Sequence, residues 1–167
     1  MIQIEYIPPF YQKYLAWVRD GDLLALLEQD YQETSDFLKS IPDSKYNYTY
    51  HPGKWTLKQI LLHLIDVERV FLYRAHRFSR NDTTDLPGFD QDAYVDKFNI
   101  NKVSWELLYQ SWDNLRRSTV LFYKMIPDEA RKRTGRAMGL EFTAESIGYI
   151  LVGHTRHHVS IIREKYL

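Results

Sequence analysis

The sequence predicts an all-α protein, specifically a four-helix bundle with a long loop between its second and third helices. Four long segments repeat apolar residues with the period of a helix, and residues typical of helix starts or stops flank these segments. No segment shows a convincing strand pattern. A chain of 167 residues is long enough for one domain with its own core and short for two, so we expect a single domain over residues 1–167.

The four predicted helices cover residues 22–41, 56–79, 104–126 and 143–167. Thr56 and Gln59 have the spacing of a capping box at the start of the second helix. Pro42 and Pro127 end the first and third helices. Residues 80–103 are predicted to form the long loop, which is unusual in a compact domain and often functional. The glycine-containing stretch 133–142 is predicted as a second irregular connection.

Composition excludes several classes of function. Lys and Arg together number 22, as do Asp and Glu, and the densest basic run is short, so nucleic acid is not expected as a partner. The absence of cysteine excludes thiol catalysis by the protein itself, disulfides and cysteine-based zinc sites. No stretch approaches the ~20 apolar residues of a membrane span, and the first residues lack the features of a signal peptide. We therefore expect a cytoplasmic protein without membrane contact.

Three of the six histidines lie within "GHTRHH", residues 153–158. His154 and His158 are one turn apart on the apolar side of the fourth helix, a spacing that lets two imidazoles bind one ion. The alternative is a pair of buried histidines bonded to polar neighbours. His157 is turned away by about 60–100°, toward a helix flank, solvent or a substrate, although a His154/His157 ligand pair is a competing choice.

His63 is the natural third ligand, because it lies on the inward edge of the second helix between apolar residues, where an unpaired imidazole is costly to bury. His76 points nearly opposite and is predicted at the surface, and His51 is predicted in a solvated turn. Three histidines from two helices would leave coordination positions open, as in catalytic metal sites. Zinc, nickel, iron and manganese all remain possible with such ligands.

Other polar residues near the predicted site are candidates for supporting roles. Asp66 lies one turn beyond His63 and is a candidate partner for a ligand, with an exposed helix carboxylate as the alternative. Arg74 belongs to a basic flank of the second helix suited to an anionic substrate, although a solvated charged face explains most of that flank. Arg74 and His157 are therefore candidate substrate-binding residues. Further polar residues considered near the site are the other arginines of this flank and two acids of the predicted loop, namely Arg69, Arg77, Arg80, Asp90 and Asp92.

Three stretches in series resemble the DinB-like, or YfiT-like, family of helical bundles: "PGKWTLKQILLHLIDVERVFLYRAHRFSR", "LPGFDQDAYV" and "LVGHTRHHVSIIREKYL". The family is distinct from the DNA polymerase that shares the DinB label. The resemblance implies a four-helix bundle with a divalent metal ion, often nickel or zinc, held by three histidines. The matching positions are His63, His154 and His158, whereas His157 matches a non-ligand position. It also implies a tendency to form homodimers.

The resemblance implies an activity on a small-molecule substrate. Characterised relatives include S-transferases that use low-molecular-weight thiols such as bacillithiol, and a mycothiol-dependent maleylpyruvate isomerase. A metal ion would lower the pKa of such a thiol and so supply the nucleophile that a cysteine-free protein lacks. The alternatives are a hydrolase that uses metal-activated water and a non-catalytic helical module.

Overall fold

The structure is a computed structural model that describes residues 4–18 and 21–167, and it is mostly helical as predicted. Four long helices form the bundle: α2 (Leu23–Ser40), α3 (Leu57–Ser79), α5 (Trp105–Met125) and α7 (Ala144–Lys165). Three short helices are α1 (Pro9–Gln12), α4 (Gln91–Lys97) and α6 (Asp128–Arg131), and 3₁₀ turns occupy Ile4–Tyr6, Lys13–Trp17, Asp43–Lys45 and Ile100–Lys102. No helix in this part of the chain is long and apolar enough to cross a membrane.

The long helices begin where side chains can satisfy their free backbone N–H groups. Thr56 and Gln59 form the predicted capping box, in which each side chain accepts a hydrogen bond from the other residue's backbone N–H. Thr143 and Ser146 form a second box at the start of α7. The predicted boundaries of all four long helices therefore hold to within about two residues, which is the ordinary uncertainty of a helix end.

The prediction that no strand is present was wrong, because residues 134–143 form a β-hairpin. Strand β1 (Thr134–Ala137) pairs antiparallel with β2 (Leu140–Thr143). Met138 and Gly139 form the turn with φ of 56° and 73°, the positive values that a tight two-residue hairpin turn requires. A Cβ on Gly135 would lie 1.9 Å from the ring of Phe78, so this strand fits closely against the end of α3 only because it carries a glycine there.

The long segment 80–103 is more ordered than the loop that the sequence predicted. It contains α4 and a 3₁₀ turn. Leu86 also pairs with the hairpin, because its N–H donates to the Arg136 carbonyl at 2.9 Å and its own carbonyl accepts from Met138 N–H at 2.9 Å. This pairing fixes the first half of the segment against the bundle.

Within the bundle, α3 packs against both α5 and α7, and α2 packs against the same two helices. The 3₁₀ turn Lys13–Trp17 lies across α7. Gly153 permits this approach, since a Cβ at that position would come within 2.3 Å of the Tyr14 carbonyl oxygen. The N-terminal segment thereby covers the turn of α7 that carries His154.

A buried ionic network joins the four long helices. Arg116 of α5 is fully buried and donates hydrogen bonds to Asp30 of α2 at 2.7 Å, Glu68 of α3 at 3.0 Å and Thr155 of α7 at 2.7 Å. Thr119 also donates to Glu68 at 2.7 Å. Every long helix thus contributes at least one member, and the network fixes the relative position of the helices through charged groups that have no access to water.

Candidate metal centre

Three histidines converge between α3 and α7. One nitrogen each from His63, His154 and His158 lies within 4.8 Å of the other two, and the His63 and His154 Nε2 atoms are 3.1 Å apart. Ligand nitrogens at 2.0–2.1 Å from one ion are about 2.9–3.4 Å apart, depending on the coordination geometry. The separation between His63 and His154 therefore already suits a shared ion. Among residues 4–18 and 21–167, no other cluster of histidine and acidic side chains has this arrangement.

Packing around the cluster is mostly aromatic. His63 is 2% exposed and lies beside the Trp55 ring, with 4.9 Å between ring centroids. His154 is 5% exposed and receives the edge of the Tyr14 ring at 5.1 Å. His158 is only partly buried. The aromatic residues hold two imidazoles in fixed orientations and leave the third nearer to solvent.

Burial keeps the three imidazoles neutral. It lowers the pKa of His63 to about 4 and that of His158 to about 3, with mutual repulsion as the next cause for His158. The pKa of His154 is lowered well below its ordinary value by burial, and the neighbouring histidines and Arg116 lower it further. At neutral pH the cluster therefore presents nitrogen lone pairs rather than N–H⁺ groups, which is what metal binding requires.

These observations fit a divalent cation. Nε2 of both His63 and His154 points into the cluster, and the two atoms are close enough for one hydrogen bond in the absence of an ion. Nδ1 of His63 is buried and has no hydrogen-bond partner. Three neutral nitrogen donors with no thiolate suit zinc or nickel, and also iron or manganese.

The remaining histidines stay outside the three-nitrogen cluster, although the His157 ring contacts that of His158 at a centroid distance of 5.3 Å. His157 is half-buried and packs against the Tyr14 and Trp17 rings, at centroid distances of 5.5 and 6.0 Å. His157 therefore lies on the flank of α7. The histidines of α7 that come together with His63 are His154 and His158, which are four residues apart. His51 and His76 are both exposed, as predicted.

Asp66 is not placed to orient a ligand by direct contact. It is half-buried and forms an ion pair with Arg69 at 3.8 Å, while the free Nδ1 of His63 has no partner. Burial raises the pKa of Asp66 and Arg69 opposes that rise. The carboxylate instead belongs to the outer edge of α3.

Arg74 departs from the solvated face that explains Arg69 and Arg80. It is 1% exposed and one amino group donates to the Pro87 carbonyl at 2.9 Å, whereas the other two guanidinium nitrogens, Nε and Nη1, are buried without partners. Arg74 follows His63 by eleven residues and therefore lies on nearly the same, inward side of α3.

Two cavities with no lining residue in common reach the histidine cluster. The first has a volume of about 190 Å³ and is lined by His154, Arg74 and several aromatic rings. The second has a volume of about 260 Å³ and is lined by His158, Trp55 and Asp92 among others. The chain around the start of α4 contributes to both cavities, because Phe89 lines the first and Asp92 lines the second.

Several residues of the site escaped the sequence argument. Tyr14 lies in a short N-terminal turn with no periodic pattern, and Trp55 immediately precedes the cap of α3. Thr155, which links His154 to the buried network, looks like an ordinary helix residue. The sequence offers Asp90 as an acidic group near the site, but in the structure its side chain caps α4.

Comparison with known proteins agrees with this architecture. YfiT from Bacillus subtilis, described as a probable metal-dependent hydrolase with an unusual four-helix bundle topology, superposes with a TM-score of 0.72 and 19% sequence identity. The match covers 87% of this chain and 89% of that one, and at this identity it establishes the fold. No curated protein shows significant sequence similarity. The family model of the DinB superfamily matches residues 26–162, and the chain therefore belongs to the DinB superfamily.

Proposed function

We propose that this protein is a divalent-metal-dependent enzyme that acts on small molecules, with His63, His154 and His158 as the metal ligands. The observation that supports the proposal is the convergence of three neutral imidazoles at a point that two cavities reach. A bound divalent ion would act as a Lewis acid and lower the pKa of a thiol or water that it ligates. Zinc or nickel is the proposed ion, with iron or manganese as substitutes.

The proposed reaction is the transfer of a low-molecular-weight thiol to an electrophilic substrate. The two cavities support a reaction with two substrates, because His154 lines one and His158 lines the other. The chain has no cysteine, so the thiol has to come from a cosubstrate such as a bacillithiol-type molecule. The second cavity carries both Lys54 and Asp92, which suits a polar cosubstrate with charges of both signs.

A hydrolase is the second candidate. It is supported by the description of YfiT, which shares the fold. Hydrolysis needs one organic substrate and water, so it would use one of the two cavities for the substrate and leave the other without a role. Asp66 pairs with Arg69, and His157 contacts His158 only through ring packing, so neither side chain is hydrogen-bonded to the cluster as a proton acceptor.

We also propose that the chain is a single domain that forms a homodimer. Large apolar side chains are exposed on α5, namely Leu107, Leu121 and Met125, with exposed fractions of 57%, 58% and 78%. Leu121 and Met125 are one turn apart on this helix, and adjacent apolar side chains that face water offer a contact surface to a second copy of the chain. Light scattering of the purified protein, with and without Leu121→Glu, tests this part of the proposal.

Metal content tests the ligand assignment. Protein purified without a histidine tag and reconstituted with zinc or nickel should contain about one ion per chain. His63→Ala, His154→Ala and His158→Ala should lose that ion, whereas His157→Ala, the matched control in the same turn of α7, should keep it. Circular dichroism shows whether each variant is folded. Wild-type protein without metal after reconstitution would contradict the proposal.

Activity assays then separate the two reactions. The transferase predicts that conjugation of an electrophile requires both metal and a low-molecular-weight thiol, and that omitting the thiol abolishes turnover. The hydrolase predicts turnover of esters, amides or phosphate esters with metal alone. The alternative of a non-catalytic module predicts neither activity, together with unchanged fold in the metal-free protein.

A further inference from the structure

Arg74 is a buried cation without a matching anion. It is 1% exposed, and it takes part in none of the ion pairs formed by the described residues. Pro87 accepts one hydrogen bond, the Phe71 ring lies 5.1 Å from the guanidinium carbon, and the Tyr11 hydroxyl is a neutral hydrogen-bonding neighbour of the guanidinium. Nε and Nη1 nevertheless remain buried with unused N–H groups. A buried charge with unsatisfied donors is costly, so a missing partner is expected.

The cavity beside Arg74 has the size and lining of a small-molecule site. Its volume of about 190 Å³ exceeds the ~150 Å³ of an apolar cavity that holds benzene. Phe10, Tyr11, Phe71 and Phe89 surround it, and no acidic residue is among those that line it. An apolar or aromatic body with one anionic group matches both the walls and the charge.

The same cavity connects Arg74 with the candidate metal centre. His154 and Arg74 both line it, and Arg74 follows His63 by eleven residues on α3, which is about 16 Å along the helix axis. Helical side chains lean toward the N-terminus, so the arginine reaches back toward the turn that carries His63. A molecule held by the guanidinium therefore extends along α3 toward the histidines.

We propose that Arg74 binds the carboxylate of a small, largely aromatic or apolar substrate whose other end lies at the histidine cluster. A single cation in the cavity matches the single charge of a carboxylate better than the double charge of a phosphate monoester. Charge-assisted hydrogen bonds from a guanidinium to a carboxylate provide the affinity and set the orientation. This inference deepens the proposed function by assigning a substrate class to one of its two cavities.

Calorimetric titration of the metal-free and zinc-loaded protein tests the inference. The probes are benzoate, phenylacetate and 3-phenylpropionate, with the corresponding neutral amides, chloride and inorganic phosphate as comparisons. At least one carboxylate should bind with one site per chain, about tenfold or more tighter than its amide, because a hydrogen bond to a charged group contributes roughly 1.5–3 kcal/mol. Because the titration includes metal-free protein, its result does not depend on whether the three histidines bind a metal ion.

Two variants identify the residue. Arg74→Met should reduce carboxylate binding to the level of the amide, and Arg80→Met, at the exposed end of the same helix, should not change it. Without ligand, Arg74→Met should unfold at the same or a higher temperature than wild type, because it removes an uncompensated buried charge. A purely structural arginine would show the opposite change in stability. Arg74→Lys keeps the charge with fewer donors and should bind the carboxylate more weakly than wild type but more tightly than the amide. This variant replaces Arg74→Met in the test if the methionine variant does not fold.

Three outcomes would overturn the inference. The first is equal affinity of the wild type for the carboxylates and their amides. The second is carboxylate binding at wild-type affinity in Arg74→Met or, if that variant does not fold, in Arg74→Lys. The third is inorganic phosphate or chloride binding as tightly as the organic acids, which would make the position a general anion site without a role for the aromatic walls.

Discussion

Replacing Arg116 by methionine should destabilise the protein strongly. Arg116 is fully buried and is the main positive partner of two carboxylates, those of Asp30 and Glu68, which are also buried. Asp30 has a second partner in Arg156 at 3.3 Å, whereas no other arginine or lysine forms an ion pair with Glu68 among the described residues. Methionine keeps much of the volume of the side chain and removes the charge, so the change tests electrostatics more than packing.

The expected loss is about 3–5 kcal/mol, the cost of leaving a buried charge without its partner. A domain has a total stability of roughly 5–15 kcal/mol, so the variant should lose a large part of it. For a chain of this size, 1 kcal/mol changes the unfolding temperature by about 2–4 °C, which predicts a decrease of roughly 6–20 °C. Arg117→Met, at the neighbouring exposed position, should change stability by less than about 1 kcal/mol.

Urea unfolding followed by circular dichroism measures the free energy, and its dependence on pH tests the cause. Burial already raises the pKa of Asp30 to about 6 in the intact network, above the 3.8 of an unfolded aspartate. Without Arg116, the folded-state pKa of Asp30 should rise further. The penalty of Arg116→Met should then be fully present at pH 8 and decrease as the pH falls and Asp30 binds a proton.

Neutralising the two acids provides the decisive comparison. Adding Asp30→Asn and Glu68→Gln to Arg116→Met should recover part of the lost stability at pH 8, because the uncompensated charges are gone. A triple variant as unstable as the single one, or a single variant that loses less than about 1 kcal/mol, would refute the electrostatic explanation. The loss would then have to be attributed to packing alone.

Two further predictions concern the histidine cluster and the packing of α7. Burial lowers the pKa of His63 to about 4 and of His158 to about 3, below the unfolded value of 6.5. The unfolded chain therefore binds more protons than the folded protein as the pH falls. Metal-free protein should lose about 1.4 kcal/mol of stability per pH unit for each histidine between about pH 6 and pH 4, as measured by urea unfolding. A stability that does not change with pH in this range would contradict neutral buried imidazoles. Gly153→Ala should lower the free energy of unfolding by roughly 1–3 kcal/mol, because the new methyl group would collide with the Tyr14 backbone. Gly148→Ala should lower it less, because the closest contacts at that position are side-chain atoms that can move. Equal costs in thermal unfolding would contradict this account.

The sequence predicts the helices well and the short strands badly, for a physical reason. A helix such as α3 shows six turns of apolar periodicity and a capping box, so many residues carry the same signal. Each strand of the hairpin has four residues, and its stability depends on contacts between Gly135 and Phe78 and between Leu86 and the strand edge. Contacts between distant parts of a chain leave no local pattern.

The histidine cluster was predictable because each helix supplies its part of the geometry. A spacing of four residues places His154 and His158 together on α7, and the inward edge of α3 selects His63. The roles of neighbouring polar residues were less accessible. Arg74 and Arg69 are equally basic, and helical position places only Arg74 on the inward side of α3, but its enclosure by segment 80–103 is visible only in the structure.

Charge balance connects the candidate metal centre with the proposed substrate. Three neutral imidazoles contribute no negative charge to a divalent ion, and the network carboxylates bond to Arg116 instead of the cluster. Arg74 adds a further positive charge to the first cavity, and the acid that lines the second, Asp92, is exposed to water. In a low-dielectric site such an excess of positive charge is stable only with anions nearby. A thiolate and a carboxylate, one for each cavity, would supply two negative charges, so the charge of the site favours anionic partners over neutral ones.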